Sequence, residues 1–136
     1  MLTVNCINPK LIASLALLGH GDQILIADGN YPLASQTNDN CDLIYLGLYS
    51  GMPTTTEVLN TILSVINIES ALVMDPREGA EPSIFNEFRG LLNEVNLEKI
   101  GRYEFYESAK KPMVKLAIST GEKRVFGNIL VTVGVA

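Results

Sequence analysis

Apolar residues recur at helical spacing over Leu11, Ile12, Leu15 and Leu18, directly behind Asn8-Pro9. Asn is a favoured N-cap, and Pro at the first helical position loses only an N–H that has no partner there. The spacing predicts a helix ended by Gly19. Gln23–Ala27 is short, apolar and β-branched, which predicts a buried strand running into the loop Asp28-Gly29-Asn30-Tyr31-Pro32. Residues 33–42 are polar and read as loop. A second strand is expected over Leu43–Leu48 and a turn at Gly51-Met52-Pro53. A helix follows over Glu57–Ile66, capped by one of Thr54, Thr55 or Thr56, with Val58, Leu59, Ile62, Leu63 and Ile66 as its buried stripe. A third strand falls at Ala71–Met74. Pro82 opens a helix carrying Ile84, Phe85, Phe88, Leu91, Leu92 and Val95. Tyr103–Lys110 reads as a helix ended by Pro112, Met113–Ile118 as a strand, and Ile129–Val135 as a last, strongly β-branched strand.

Strands alternating with helices predict an α/β fold, a layered α/β/α arrangement with a mostly parallel central sheet. No repeat, low-complexity segment or linker interrupts it, so residues 1–136 read as a single domain. With 136 residues and 47% hydrophobic content, the chain is long enough to bury a core. The net charge of −5 argues against nucleic acid or an anionic membrane as partner, since both require a Lys/Arg surplus. No apolar stretch approaches the ~20 residues of a membrane helix, and no signal peptide is apparent. Cys6 and Cys41 are far apart and lack the spacing of metal ligands; they read as reduced thiols of a cytoplasmic protein.

His20 is the only imidazole, set between Gly19 and Gly21. It is the first choice for near-neutral proton transfer, and equally an ordinary histidine near a helix C-terminus. Asp22 reads either as the group orienting that ring or as a turn aspartate. Asp28, at the exit of the first strand, reads as a carboxylate accepting sugar hydroxyls or as an Asx-turn. In open α/β sheets ligands sit at the carboxyl ends of strands, which suits Asp28. His20 lies at the entry of the same strand, so the two meet only if another subunit or the sheet edge closes the gap. Arg102 beside Tyr103, Phe105 and Tyr106 reads as a polyol clamp or as a solvated arginine on core aromatics. Gly127 allows close backbone approach and Asn128 offers donor and acceptor; a plain β-turn is the alternative. Glycine-rich phosphate loops, HExxH and GxSxG are absent.

Three groups of residues, taken in order, resemble the D-ribose pyranase / L-fucose mutarotase (RbsD/FucU) family. The first is Leu18-Gly19-His20-Gly21-Asp22 with Ile24–Ala27 and Asp28-Gly29-Asn30-Tyr31-Pro32. The second runs from Arg102 to Lys110. The third is Thr120-Gly121-Glu122, then Phe126-Gly127-Asn128-Ile129-Leu130 and Val133-Gly134-Val135. The resemblance implies an RbsD-like fold and an isomerase that interconverts anomers or ring forms of a free monosaccharide without cofactor or metal. It implies His20 as proton donor, with Asp28, Arg102, Phe126, Gly127 and Asn128 binding the sugar. It also implies a homo-oligomer, a ring or decamer, with sites at subunit interfaces. Gly127-Asn128 and Phe105-Tyr106-Glu107 look like the fucose branch; Gly51-Met52-Pro53 with Val58-Leu59 looks like the ribose branch. Family members commonly carry Tyr where this chain has Phe126, and Ala followed by Gly or His where it has Gly29-Asn30. The lost phenol motivates the alternative of a non-catalytic sugar-binding or transport-accessory protein.

Overall fold

The computed structural model describes residues 1–136. The elements run α1 (Pro9–Ala16), β1 (Gln23–Ala27), β2 (Asp42–Tyr45), α2 (Thr55–Leu63), β3 (Ile68–Met74), α3 (Ile84–Leu92), β4 (Leu97–Ile100), α4 (Arg102–Ala109), β5 (Val114–Ser119) and β6 (Ile129–Val133). The six strands form one sheet in the order β2-β5-β1-β6-β3-β4. Pairings β2–β5, β5–β1 and β3–β4 are parallel, while β6 is antiparallel to both β1 and β3. The sheet is therefore mixed but mostly parallel, as expected.

Alternation along the strands sends side chains to two faces. Ile24 and Ile26 join Leu11 and Leu15 of α1, Val58, Leu59 and Ile62 of α2, and Phe85 and Phe88 of α3 in one core. Leu25 and Ala27 face the other way, against Phe105 and Ala109 of α4 and the Tyr31–Leu33 turn. The result is three layers, heavily covered on one side and thinly on the other. Cys6 belongs to the first core and Cys41 packs against the second, so the sheet stands between the two free thiols.

Local chemistry explains the element ends. Asn8 Oδ1 accepts from Leu11 N–H at 3.0 Å. Thr54 is the N-cap of α2 and forms a reciprocal capping box with Glu57. α1 stops at Ala16, short of the expected Gly19, because the Leu17 and Leu18 N–H groups turn back to Ser14 and Leu15 carbonyls. β3 starts three residues before Ala71, and β2 ends three before Leu48. The strand β4 was not expected: Leu97-Glu98-Lys99-Ile100 sits at a sheet edge, where charged residues face solvent and dilute the apolar signal.

The position of β6 decides the functional geometry. Only nine residues, Thr120 to Asn128, separate β5 from β6, too few for the dozen or more that a parallel crossover takes. The chain arches over the carboxyl end of β1 and returns antiparallel on its far side. At the start of this arch a Cβ on Gly121 would lie 2.3 Å from Met52 O and 2.6 Å from Tyr49 O. Both contacts are backbone, in a segment pinned by Gly121 N–H to Pro53 O at 2.9 Å. Gly121→Ala is expected to cost on the order of 2–3 kcal/mol and lower Tm by about 10 °C, read by thermal denaturation; an unchanged melt refutes this close approach.

Candidate functional site

The carboxyl ends of β1, β3 and β4 and the start of β6 share one edge of the sheet, as the pairing directions require. Asp28 follows β1, Met74 closes β3, Arg102 opens α4 directly after β4, and Asn128 precedes β6. With Tyr31, Tyr106, Val125 and Phe126 these residues line a cleft of about 340 Å³, within the range of small-molecule sites, roughly 300–1,000 Å³.

Asp28 is 3% exposed. Its Oδ1 accepts from Asn30 N–H at 2.9 Å, and its Oδ2 from Gly127 N–H at 3.2 Å. The first bond is an Asx-turn, so the structural reading of this residue holds alongside its position in the cleft. The Asp28 N–H donates to Asn128 Oδ1 at 2.7 Å. Desolvation pushes the Asp28 carboxyl above the usual aspartate range, against the backbone donors and the Asn128 side chain, which favour the charged form.

Arg102 is exposed at the rim. Its Nε donates to Tyr106 Oη at 3.1 Å, and its guanidinium lies 5.6 Å from the Tyr106 ring centroid and 5.9 Å from that of Tyr103. Tyr106 in turn meets Tyr31 edge-on at 5.5 Å. The arginine is therefore held over an aromatic platform, a geometry that suits a polyol with both hydroxyls and C–H faces. Phe126 has a φ of 61°, rare for a bulky residue. Gly127 does not line the cleft but lies buried beneath it. A Cβ there would stand 2.8 Å from Glu122 Cγ and 3.0 Å from Arg124 O.

His20 is elsewhere. It stands at the opposite edge of the sheet, before β1, in a separate cavity with Leu18, Val65, Asn67 and Val135. The five residues of β1 span about 17 Å at ~3.3 Å per residue, which separates His20 from Asp28 within one chain. Its Nε2 is 2.9 Å from Glu69 Oε2. Asp22 has a different partner: its Oδ2 accepts from Gly19 N–H at 2.8 Å, closing the turn after α1. Nothing local in the sequence ties Glu69 to His20, 49 residues away; a carboxylate in the apolar run Ile68–Met74 is the only available signal. Met74 carries no sequence signal as a cleft residue, whereas Tyr106 stands in the aromatic group expected beside Arg102. No three His, Cys, Asp or Glu side chains cluster to hold a metal ion, and no helix is long and apolar enough to cross a membrane.

A model described as the RbsD / FucU transport protein family matches residues 1–136. A protein named D-ribose pyranase from Bacillus cytotoxicus is 33% identical over 129 residues, covering 95% of this chain and 94% of that protein. Among solved structures, Bacillus subtilis RbsD complexed with D-ribose superposes with a TM-score of 0.86 at 25% identity, over 100% of this chain and 99% of the other. The fucose mutarotase from Streptococcus pneumoniae, in complex with L-fucose, superposes with a TM-score of 0.85 at 29% identity, again over 100% and 99%.

Proposed function

The chain belongs to the RbsD/FucU family, and from that premise we propose that it is a cofactor-free monosaccharide mutarotase, acting on the anomers or ring forms of a sugar of the fucose or ribose class. The observation that carries this is the cleft at the carboxyl edge of the sheet. A buried carboxylate, an amide side chain and an aromatic-backed arginine converge there around space for one monosaccharide. Relatives of both kinds, one solved with ribose and one with fucose, support the substrate class. The wall of Met74, Val125 and Phe126 favours a sugar bearing a methyl group, such as L-fucose.

Mutarotation opens a hemiacetal: the anomeric hydroxyl loses a proton while the ring oxygen gains one. The aldehyde rotates, and a hydroxyl closes on its other face, or a different hydroxyl closes the ring. No net redox change occurs and no group leaves. Asp28 and Asn128 hold hydroxyls, Arg102 closes the rim, and His20 moves the proton. Glu69 engages Nε2 of His20 and leaves Nδ1 to face the sugar.

Because His20 stands a strand's length from Asp28, this mechanism requires a second copy to supply the imidazole. The His20 edge has the surface for it: Leu17 (80% exposed), Val65 (47%) and Val135 (68%) are large apolar residues left uncovered. The working assembly is a homo-oligomer, a ring or decamer, with the cleft of one copy completed by the histidine of the next.

Magnetisation-exchange NMR across L-fucose, D-ribose and related aldoses tests the activity. Accelerated exchange for at least one sugar is expected, in a preparation whose light-scattering mass exceeds the 14.8 kDa of one chain. Binding without acceleration turns the reading to a sugar-binding accessory protein. A monomeric protein that catalyses exchange refutes the shared site.

A further inference from the structure

Behind the cleft, on the side away from the sugar, lies a buried polar cluster that the mechanism above does not use. Glu122 is 3% exposed and Thr55, the first residue of α2, is fully buried. Burying a carboxylate is costly unless it is paired and hydrogen-bonded. Desolvation pushes Glu122 up, but the Arg124 side-chain hydrogen bonds and the Arg124 and Thr55 N–H donors outweigh it, so the carboxyl lies below the usual glutamate range. The pairing is a two-pronged fork: Arg124 Nε to Glu122 Oε1 and Arg124 Nη2 to Glu122 Oε2, both at 2.9 Å. The Arg124 N–H reaches Oε1 at 3.1 Å, and the Thr55 N–H reaches Oε2 at 3.3 Å. The guanidinium also pairs with Glu87 on α3.

These bonds surround one peptide. The Thr55 hydroxyl donates to Gly127 O at 2.7 Å, while the N–H of Gly127 donates to Asp28 Oδ2 at 3.2 Å. The stem of Glu122 fills the space that a side chain at 127 would take. Gly127 is thus gripped from behind by α2 and Glu122 and in turn grips Asp28 in front. Asn128, the next residue, holds the Asp28 N–H. Phe126, the residue before, keeps its left-handed backbone between the Arg124 anchor and the Gly127 anchor.

We propose that Thr55 and Glu122 are positioning residues which set the Gly127 peptide, and through it Asp28 and Asn128, in the geometry that binds sugar hydroxyls. The inference rests on the sugar-acting reading above. The cluster never touches the sugar. It acts on groups that grip hydroxyls in ground and transition state alike, so its loss raises KM more than it lowers kcat.

The test uses Thr55→Val, which keeps the shape and the N–H but removes the hydroxyl, and Glu122→Gln, which keeps the shape but removes the charge. Thr55→Ser is the conservative control. Anomer exchange is measured against concentration of L-fucose and of D-ribose, with thermal melts alongside. A buried carbonyl losing its donor corresponds to about tenfold in affinity. Thr55→Val and Glu122→Gln are expected to raise KM about tenfold with kcat within about threefold, and Thr55→Ser to restore KM. Wild-type KM in both variants overturns the inference. So does a loss that tracks only the folded fraction, with KM unchanged, since that marks a purely structural role. If the wild-type protein neither binds nor equilibrates either sugar, the mutarotase reading falls, and the inference built on it falls too.

Discussion

His20→Ala is expected to slow catalysed anomer exchange by about 10²–10⁴-fold at saturating sugar, the usual contribution of one positioned acid/base group. The same change should leave Tm nearly unmoved. The His20 side chain is 60% exposed and its one partner, Glu69, is 44% exposed. Such exposed pairs contribute about 0–1 kcal/mol to stability. Loss of rate without loss of fold is therefore the signature, read by magnetisation-exchange NMR and a thermal melt on the same sample. Exchange at the wild-type rate would remove His20 from the mechanism. Mixing refines the result. Copies lacking His20 and copies lacking the Asp28 carboxylate should each be strongly impaired alone at sub-saturating sugar. Co-refolded in equal amounts, they should regain about a quarter of the wild-type rate if each site draws its histidine and its aspartate from different copies. A site contained in one chain would regain nothing.

Asp28→Asn should weaken sugar binding by about 10- to 100-fold and also lower Tm, because this residue serves the cleft and the backbone together. Its carboxylate accepts N–H donors from Asn30 and Gly127. An amide turns an NH₂ toward one of them, leaving a buried donor unsatisfied at a cost of about 1–3 kcal/mol. The charged acceptor that the proposed mechanism assigns to sugar hydroxyls is lost as well. The pH dependence has a definite sign. Burial raises the Asp28 pKa in the folded state, so its contribution to stability is fully present below the unfolded value and is lost as pH rises through the folded one. The stability margin of wild type over Asp28→Asn is therefore expected to widen as pH falls from neutrality toward the aspartate range. Sugar affinity of the wild type should fall over the same interval as the carboxylate protonates. Calorimetric titration with L-fucose and melts across that interval read both; a margin that narrows on acidification would contradict a carboxyl whose pKa burial has raised.

The three-layer architecture was legible from short-range pattern. Apolar spacing at 3.6 and 2.0 residues, with Asn8-Pro9 and the threonines before Glu57 as start signals, located all four helices and five of the six strands to within a few residues. These signals are local, and so they survive in one dimension. The strand β4 escaped because its two charges at a sheet edge erase the alternation. The antiparallel insertion of β6 escaped because strand order depends on which surfaces pack, which no window of residues records.

The same division runs through the candidate site. Asp28, Arg102 and Phe126-Gly127-Asn128 were recognisable by residue type, neighbours and order along the chain. That Asp28, Phe126 and Asn128 meet at one cleft, with Gly127 buried beneath it, follows from the nine-residue arch over β1, a consequence of pairing direction. Met74, Glu69 and the Thr55–Glu122 pairing carried no usable mark, because each acquires its role from a partner 25 or more residues away. His20 was legible from the start as the sole imidazole between glycines. Its place at the entry of the first strand, opposite Asp28, was legible too; only the tertiary structure decided that it lies beside Glu69 and an uncovered apolar surface. The reason is the rigid length of β1, which holds His20 and Asp28 at opposite ends of one strand, so that the proposed mechanism calls on a second chain.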